Sequence, residues 1–261
     1  MKYLFALLAM IPVAANAGPF DGTWKMRLDA TQFASKPEVW SLANGTYSWN
    51  SCAPKISIKA DGSDQPVTGP PYYDTVAAKA ASDTAVHLTY KKAGKLVYDW
   101  TYTVSADHNS LSLKWSDQSG TQPVTGETTF RRGAGQAANA APGAHAASGT
   151  WVYDSIKNMS DAGSLVTYAE TADGLKMSTP TGQSYEAKFD GKEVPLVGDT
   201  GGTTVSLKRV GPREIEETDR HAGKVSDIVA IRVSADGKKI VVSDNDLLHE
   251  RTDMFVLDKQ P

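Results

Sequence analysis

The sequence has only one cysteine and almost no net charge. Because Cys52 is alone among 261 residues, no disulfide can form within the chain and no cysteine-based metal cluster can be built. The 27 lysines and arginines nearly balance the 30 aspartates and glutamates, which leaves a net charge of −3. A chain without a basic field is a poor partner for nucleic acid, so we expect no nucleic-acid partner.

Motifs for catalysis and for metal binding are also missing. The five histidines show no metal-ligand spacing, and the chain has no Gly-x-Ser-x-Gly, phosphate loop or dinucleotide fingerprint. His221 and His249 have acidic neighbours, yet nothing positions a nucleophile beside them. Asp244-Asn245-Asp246 has the spacing that opens a calcium loop, but the glycine and glutamate that complete such a loop are absent. The sequence therefore predicts no metal and no cofactor, and it identifies no catalytic residue.

Residues 1–17 have the composition of an export signal. Lys2 precedes an apolar run over residues 4–15, and Ala15-Asn16-Ala17 is a small-residue cleavage site. No later stretch approaches the roughly 20 apolar residues of a membrane helix. We therefore expect a signal peptide over residues 1–17, cleavage near Ala17, and a soluble mature protein that is periplasmic or secreted.

The remainder of the chain is one unit present twice. Gly22-Thr23-Trp24 recurs as Gly149-Thr150-Trp151, and residues 59–117 align without a gap onto residues 188–246. A single register kept over so many turn residues indicates a duplication. The intervening segment has no charge and no large apolar residue, a composition typical of flexible linkers. We predict two domains and a Gly/Ala linker, with the bounds 18–132, 133–148 and 149–261.

Each unit has the pattern of β-structure. Apolar and polar residues alternate over residues 96–104 and again over residues 111–116, which is the period of a strand with one buried face. Ala93-Gly94 and Ala222-Gly223 mark hairpin turns. The other strands predicted in the first unit cover residues 23–28, 46–49, 55–59, 75–79, 85–90 and 127–131. The sequence therefore predicts an all-β protein of two tandem antiparallel up-and-down barrels of about eight strands each.

The ends of each unit resemble the lipocalin, or calycin, pattern. Gly22-Thr23-Trp24 falls on the first strand, and Arg131 or Arg132 falls on the closing strand. In that family the tryptophan closes one barrel end, the arginine packs over it, and the opposite mouth takes a small apolar ligand. The second unit has Gly149-Thr150-Trp151, but its predicted last strand over residues 254–259 has no arginine. The resemblance implies two lipocalin-like barrels, and ligand binding follows only by analogy.

The two units differ most in their aromatic residues. Residues 18–132 contain 14 aromatics and residues 149–261 contain 6, while the basic and acidic counts change from 12 and 11 to 14 and 19. Aromatic rings suit a pocket for a flat or apolar ligand, so we predict that the first barrel binds such a molecule under a lid over residues 33–42. The predicted ligand-binding residues are Trp40, Tyr47, Trp49, Tyr72, Tyr73 and Trp100.

Other interpretations stay open at this point. Alternating aromatics such as Trp100 and Trp115 are also what a strand contributes to a core. A first alternative function is an isomerase or lyase that uses tyrosine or aspartate acid–base groups in the first barrel. A second is an interaction module for an envelope protein partner, with the acidic second barrel as the contact surface. Cys52 is either a reactive thiol or a small, partly buried residue.

Overall fold

The computed structural model describes residues 18–34, 36–134 and 143–261, and the predicted signal peptide lies outside them. In the described chain one single-turn helix covers Asp161–Ser164 and one 3-10 turn covers Leu28–Ala30. The strands of the first half are β1 Gly22–Met26, β2 Glu38–Ala43, β3 Thr46–Trp49, β4 Ile56–Lys59, β5 Gln65–Pro66, β6 Thr75–Ala80, β7 Ala85–Lys92, β8 Lys95–Val104, β9 Ser110–Asp117 and β10 Val124–Arg132. Those of the second half are β11 Gly149–Met159, β12 Leu165–Glu170, β13 Gly174–Ser178, β14 Ser184–Lys188, β15 Val194–Pro195, β16 Thr204–Gly211, β17 Glu214–His221, β18 Lys224–Val233, β19 Lys239–Asp246 and β20 Arg251–Lys259.

The strands form two ten-stranded antiparallel sheets, each curled into a nearly closed barrel. The first barrel contains β2 to β11 and the second contains β1 and β12 to β20. Where the first barrel closes, the Gly62 N–H donates to the Ala78 carbonyl at 2.9 Å, and in the second the Gly191 N–H donates to the Leu207 carbonyl at 3.1 Å. These contacts leave little free sheet edge. The predicted all-β fold with two tandem barrels is confirmed.

Each barrel has ten strands, two more than the predicted eight. In the first barrel these are β5, which has two residues, and β2, which we had assigned to a lid. Pro37 precedes β2 directly and lacks the N–H that a strand residue donates, so the segment around it has no clean alternation. From Glu38 onward, however, Trp40 and Leu42 point into the core.

The internal duplication is visible in the strand bounds. β7, β8 and β9 map residue for residue onto β17, β18 and β19 at a shift of 129, the interval that separates Lys59 from Lys188. The predicted hairpin turns are present as well, with φ of 49° and 78° at Ala93-Gly94 and 48° and 76° at Ala222-Gly223. Two successive positive φ values define the tight turn that matches the twist of a hairpin.

The first strand of each unit lies in the barrel of the other unit. β1 pairs with β12 and β20, whereas β11 pairs with β10 and β2. The domain bounds 18–132 and 149–261 that the sequence predicts therefore do not coincide with the barrels. Local pattern cannot distinguish the two arrangements, because both strands begin with Gly-Thr-Trp and either can fill the same position in a barrel.

The segment before β11 is not a free linker over the part that the structure describes. The His145 N–H donates to the Leu42 carbonyl at 2.8 Å, and the Ser148 hydroxyl accepts the Leu42 N–H at 2.8 Å. Ala147 is buried in the first core. Residues 143–148 thus pack on β2, which corrects our prediction of a flexible linker there; residues 135–142 lie outside the described part of the chain.

Two tryptophans close the barrels. Trp24 and Trp151 are both 0% exposed, and their indole N–H groups donate to the carbonyls four residues earlier, at Phe20 and Ala147. A cation covers each ring: Lys259 lies 5.1 Å from the Trp24 centroid and Arg132 lies 4.2 Å from the Trp151 centroid. The resemblance implies an arginine over Trp24, but Lys259 covers that ring, and Arg132 covers Trp151 instead.

Candidate functional site

The six predicted ligand-binding residues do not meet at one place. Three of them, Trp40, Trp49 and Trp100, line one cavity of about 260 Å³. Tyr47 is 2% exposed and belongs to the first core, and Tyr73 packs against that core with its ring 5.0 Å from the ring of Tyr90. For Tyr47 and Tyr73 the structure supports the core interpretation.

The aromatic cavity, as we call this space, has a wall of large rings. Trp40 lies 4.5 Å from Tyr102 and 5.4 Å from Phe130 between ring centroids, and Trp49 lies 5.8 Å from Trp100. The rings are tilted or edge-to-face, which are the favourable arrangements for aromatic pairs. Cross-strand pairing sets these positions, since Trp40 is directly opposite Trp49 on β2 and β3. The inward-facing residues of the wall are Trp40, Trp49, Trp100, Tyr102, Leu113 and Phe130.

The cavity lies beside a gap between two strands of the barrel. β11 pairs with β2 only over Gly149–Trp151, whereas its pairing with β10 extends to Met159. Lys36 and Glu38 from the segment entering β2, and His249 and Arg251 from the second barrel, complete the rim. Of the segment 33–42 that we predicted as a lid, Glu38 onward is strand β2, and the residues that line the cavity are Lys36, Pro37, Glu38 and Trp40.

Polar groups are placed at one side of the aromatic wall. The Glu38 Oε2 atom accepts the Trp49 indole N–H at 2.7 Å and the Ser51 hydroxyl at 2.5 Å. By contrast, the Trp40 indole N–H and the Tyr102 hydroxyl are buried and have no hydrogen-bond partner in the described residues. A buried donor without an acceptor is costly.

Burial also fixes the protonation of the tyrosines in the first barrel. It raises the pKa of Tyr47, Tyr90 and Tyr102 far above the ordinary value of 10, and nearby acidic groups add to the effect. The hydroxyls therefore stay protonated at neutral pH, and none of the three has a hydrogen-bond partner in the described residues. Burial likewise raises the pKa of the Cys52 thiol, whose Sγ lies 4.0 Å from the Tyr73 hydroxyl. The structure favours the partly buried, protonated interpretation of Cys52 over a reactive thiolate.

Tyr72 belongs to the contact between the barrels. Its hydroxyl lies 3.0 Å from the His221 Nε2 atom and 3.4 Å from the Thr203 hydroxyl. Its ring lies against Gly201, where an added Cβ would come within 2.5 Å of the ring. Burial raises the pKa of Tyr72 to about 12. The loop position correctly indicated that this tyrosine is outside the core, but its hydrogen bonds go to the second barrel.

The second barrel carries carboxyl groups at three positions where the first carries large apolar or aromatic side chains. In the register of the duplication, Glu217 replaces Leu88, Asp219 replaces Tyr90 and Asp244 replaces Trp115. The Tyr185 hydroxyl donates to Glu217, and one carboxyl oxygen each of Asp219 and Asp244 is buried without a partner in the described residues.

These buried carboxyl groups resist ionisation. Burial raises the pKa of Glu217 and Asp219 well above the ordinary range, and for both groups neighbouring carboxylates raise it further. Burial and Asp227 together raise the pKa of Asp244 to about 6. The sequence analysis counted the lost aromatics and the added acidic residues but did not place these three carboxyl groups on inward-facing positions. In the part of the chain that the structure describes, no three His, Cys, Asp or Glu side chains are arranged to hold a metal ion.

Comparison with protein-family models, with curated proteins and with solved structures finds no match for this chain. Among the described residues, no helix has the length and apolar character needed to cross a membrane.

Proposed function

We propose that this protein binds a small aromatic or apolar molecule in the aromatic cavity of the first barrel. The observation that carries the proposal is the wall of Trp40, Trp49, Trp100, Tyr102 and Phe130 around a space of about 260 Å³. Cavities of this kind, mostly apolar with a few placed polar groups, are the usual form of small-molecule sites. The expected occupant is flat, because the rings leave a narrow space and their faces favour stacking.

The polar groups at the wall define the ligand further. The Trp40 N–H and the Tyr102 hydroxyl can each donate a hydrogen bond, and neither has an acceptor in the described residues. A ligand that carries a hydroxyl, carbonyl or ring nitrogen would accept these bonds and remove the cost of the buried donors. We therefore infer a preference for an aromatic molecule with at least one hydrogen-bond acceptor over a pure hydrocarbon.

The alternative of an enzyme in the first barrel receives less support. A general base works best with a pKa near the operating pH, whereas burial raises the pKa of Tyr72 to about 12 and that of Tyr73 still higher. The carboxyl groups with raised pKa lie in the second barrel, away from the aromatic cavity. The same carboxyl groups also bear on the second alternative, an interaction module with an acidic contact surface. Because they point into the second barrel, they do not contribute to such a surface.

Trp100 and Trp115 allow a matched test. They lie directly opposite each other on β8 and β9, both are partly buried, and only Trp100 lines the aromatic cavity. The mature protein is titrated with the neutral fluorophore N-phenylnaphthylamine, and binding is followed by the fluorophore's own emission. We expect Trp100→Ala to weaken binding by about tenfold or more and Trp115→Ala to leave it nearly unchanged. Equal weakening in both variants, or no binding by the unaltered protein, would contradict the proposal.

A further inference from the structure

A second cavity lies between the two barrels. It has a volume of about 380 Å³ and is separate from the aromatic cavity, with which it shares no lining residue. Tyr72, Tyr98, Trp115 and Asp117 of the first barrel form one side, and Thr181 and Asp199 of the second form the other. We call this space the junction cavity. Because it needs both barrels, it exists only in the assembled chain.

Cross-strand pairing brings rings and a carboxylate to the first side. Tyr98 on β8 is directly opposite Asp117 on β9, and Trp115 lies two residues earlier on the same face of β9. The Trp115 indole N–H donates to the Thr128 hydroxyl at 3.1 Å, which holds the ring in place. Tyr72 is held by its hydrogen bonds to the second barrel. Hydrogen bonds thus hold two of the three rings on the aromatic side of the cavity.

The two carboxylates are oriented and are not neutralised. Asp117 accepts the N–H and the hydroxyl of Ser119 on one oxygen, at 2.8 and 2.6 Å. Asp199 accepts the Thr203 N–H on one oxygen at 2.8 Å. In the described residues neither aspartate has a salt-bridge partner, and no lysine, arginine or histidine lines the cavity.

Both charges act on the same ring. Burial raises the pKa of Tyr98, and the charges of Asp117 and Asp199 raise it further. A space with two negative charges, three aromatic rings and no basic group of its own attracts positive charge, and ring faces favour weakly hydrated organic cations. Compact metal ions prefer a shell of several oxygen ligands, and no such group occurs in the described residues.

We propose that the junction cavity binds a small organic cation of the quaternary ammonium type between the rings of Tyr98 and Trp115 and the carboxylates of Asp117 and Asp199. This inference does not depend on the proposed function of the first barrel, because the two cavities share no residue. The ligand class follows from the chemistry of the walls and from their net charge.

Calorimetric titration of the mature protein with choline tests the proposal. The uncharged analogue in which a tert-butyl group replaces trimethylammonium has nearly the same shape, so it isolates the contribution of charge. We expect choline to bind and the analogue to bind at least about tenfold more weakly. Asp117→Asn and Asp199→Asn keep the size and the hydrogen-bond acceptor, and each should weaken choline binding by about tenfold. Asp83→Asn, at an exposed carboxylate outside the cavity, should not.

Three results would overturn the proposal. Equal binding of choline and its uncharged analogue would show an apolar site, and displacement of choline by Ca²⁺ alone would show an inorganic cation site. Absence of choline binding up to millimolar concentration would show that the cavity is only a space between the barrels. Binding of choline that survives Trp100→Ala would establish that the site is independent of the aromatic cavity.

Discussion

The Arg132 guanidinium lies 4.2 Å from the ring centroid of Trp151, a residue from the opposite half of the chain. Lys259 covers Trp24 in the same way. The first barrel is the continuous run β2 to β11, whose last strand brings Trp151 from the second unit, whereas the second barrel is β12 to β20 completed by β1, which brings Trp24 from the first unit. This exchange of first strands, β1 and β11, between the two units links the barrels. The link needs no disulfide, which the single cysteine rules out within the chain.

The exchange can be tested with a pair of cysteines. Thr23 on β1 is directly opposite Thr167 on β12, and their hydroxyls are 2.9 Å apart. Directly opposed strand residues have the spacing that a disulfide accepts. We expect Thr23→Cys with Thr167→Cys, in a Cys52→Ser background, to form an intramolecular disulfide in high yield, measured by a mobility shift on non-reducing gels and by peptide mapping.

The matched control for that experiment is Thr23→Cys with Val39→Cys. Val39 is opposite Thr150 on β11, and Thr150 is the counterpart of Thr23 in the duplicated motif. Without exchange, Thr23 would take the place of Thr150 opposite Val39. A disulfide in this second pair, with none in the first, would show that each barrel keeps its own first strand.

A second prediction concerns the glycine that opens each Gly-Thr-Trp motif. Gly149 has φ of +139°, and an added Cβ would lie 2.7 Å from the Arg132 side chain. We expect Gly149→Ala to lower the free energy of unfolding by about 1–2 kcal/mol, because the backbone is strained and the cation over Trp151 is displaced. Urea denaturation followed by tryptophan fluorescence measures the change.

Gly211→Ala provides the control for the backbone effect. Gly211 also lies in a strand, but its φ is outside the left-handed region and its nearest contact to an added Cβ is at 3.8 Å. The unfolding free energy of this variant should stay close to that of the unaltered protein. If Gly149→Ala were equally harmless, glycine would not be required for the cation to cover Trp151.

The sequence was sufficient to predict the strands in which apolar and polar residues alternate and which end at turn residues. β3 and the hairpin at Ala93-Gly94 are where the pattern places them. β2 was missed because Pro37 interrupts the pattern. The exchange could not be predicted either, since the choice between two nearly equal strands depends on contacts between the barrels and not on local composition.

The candidate site was predicted to the extent that it depends on strand alternation. Trp100 points inward because of its position in β8, which the alternation predicts. Trp40, which we placed in a lid, lies on β2, and Tyr47, which we predicted as a ligand-binding residue, packs in the core. His249 and Arg251 reach the rim of the aromatic cavity only through the packing of the second barrel. No spacing along the chain relates them to Trp40, so pattern analysis of one unit could not include them.

The last prediction concerns the carboxyl groups inside the second barrel. The pKa of Glu217 is raised by burial above its ordinary value of 4.5, and burial with neighbouring carboxylates raises that of Asp244 to about 6. Between the unfolded-state pKa and the raised folded-state pKa of each group, the folded state binds more protons than the unfolded state. The contribution of these groups to stability is therefore largely present at pH 4 and is lost as the pH rises through about 6 and beyond. We expect the free energy of unfolding to fall over this range, measured by urea denaturation at several pH values.

Glu217→Gln should reduce that loss, because the amide cannot ionise and still accepts the Tyr185 hydroxyl. At pH 8 the variant should exceed the unaltered protein in unfolding free energy by about 1–3 kcal/mol, and at pH 4 the two should nearly coincide. Glu216→Gln, at the preceding residue of β17, should keep the original pH dependence. If Glu217→Gln and the unaltered protein showed the same pH dependence between pH 4 and pH 8, the pKa of Glu217 would not be raised in the fold and the prediction would be wrong.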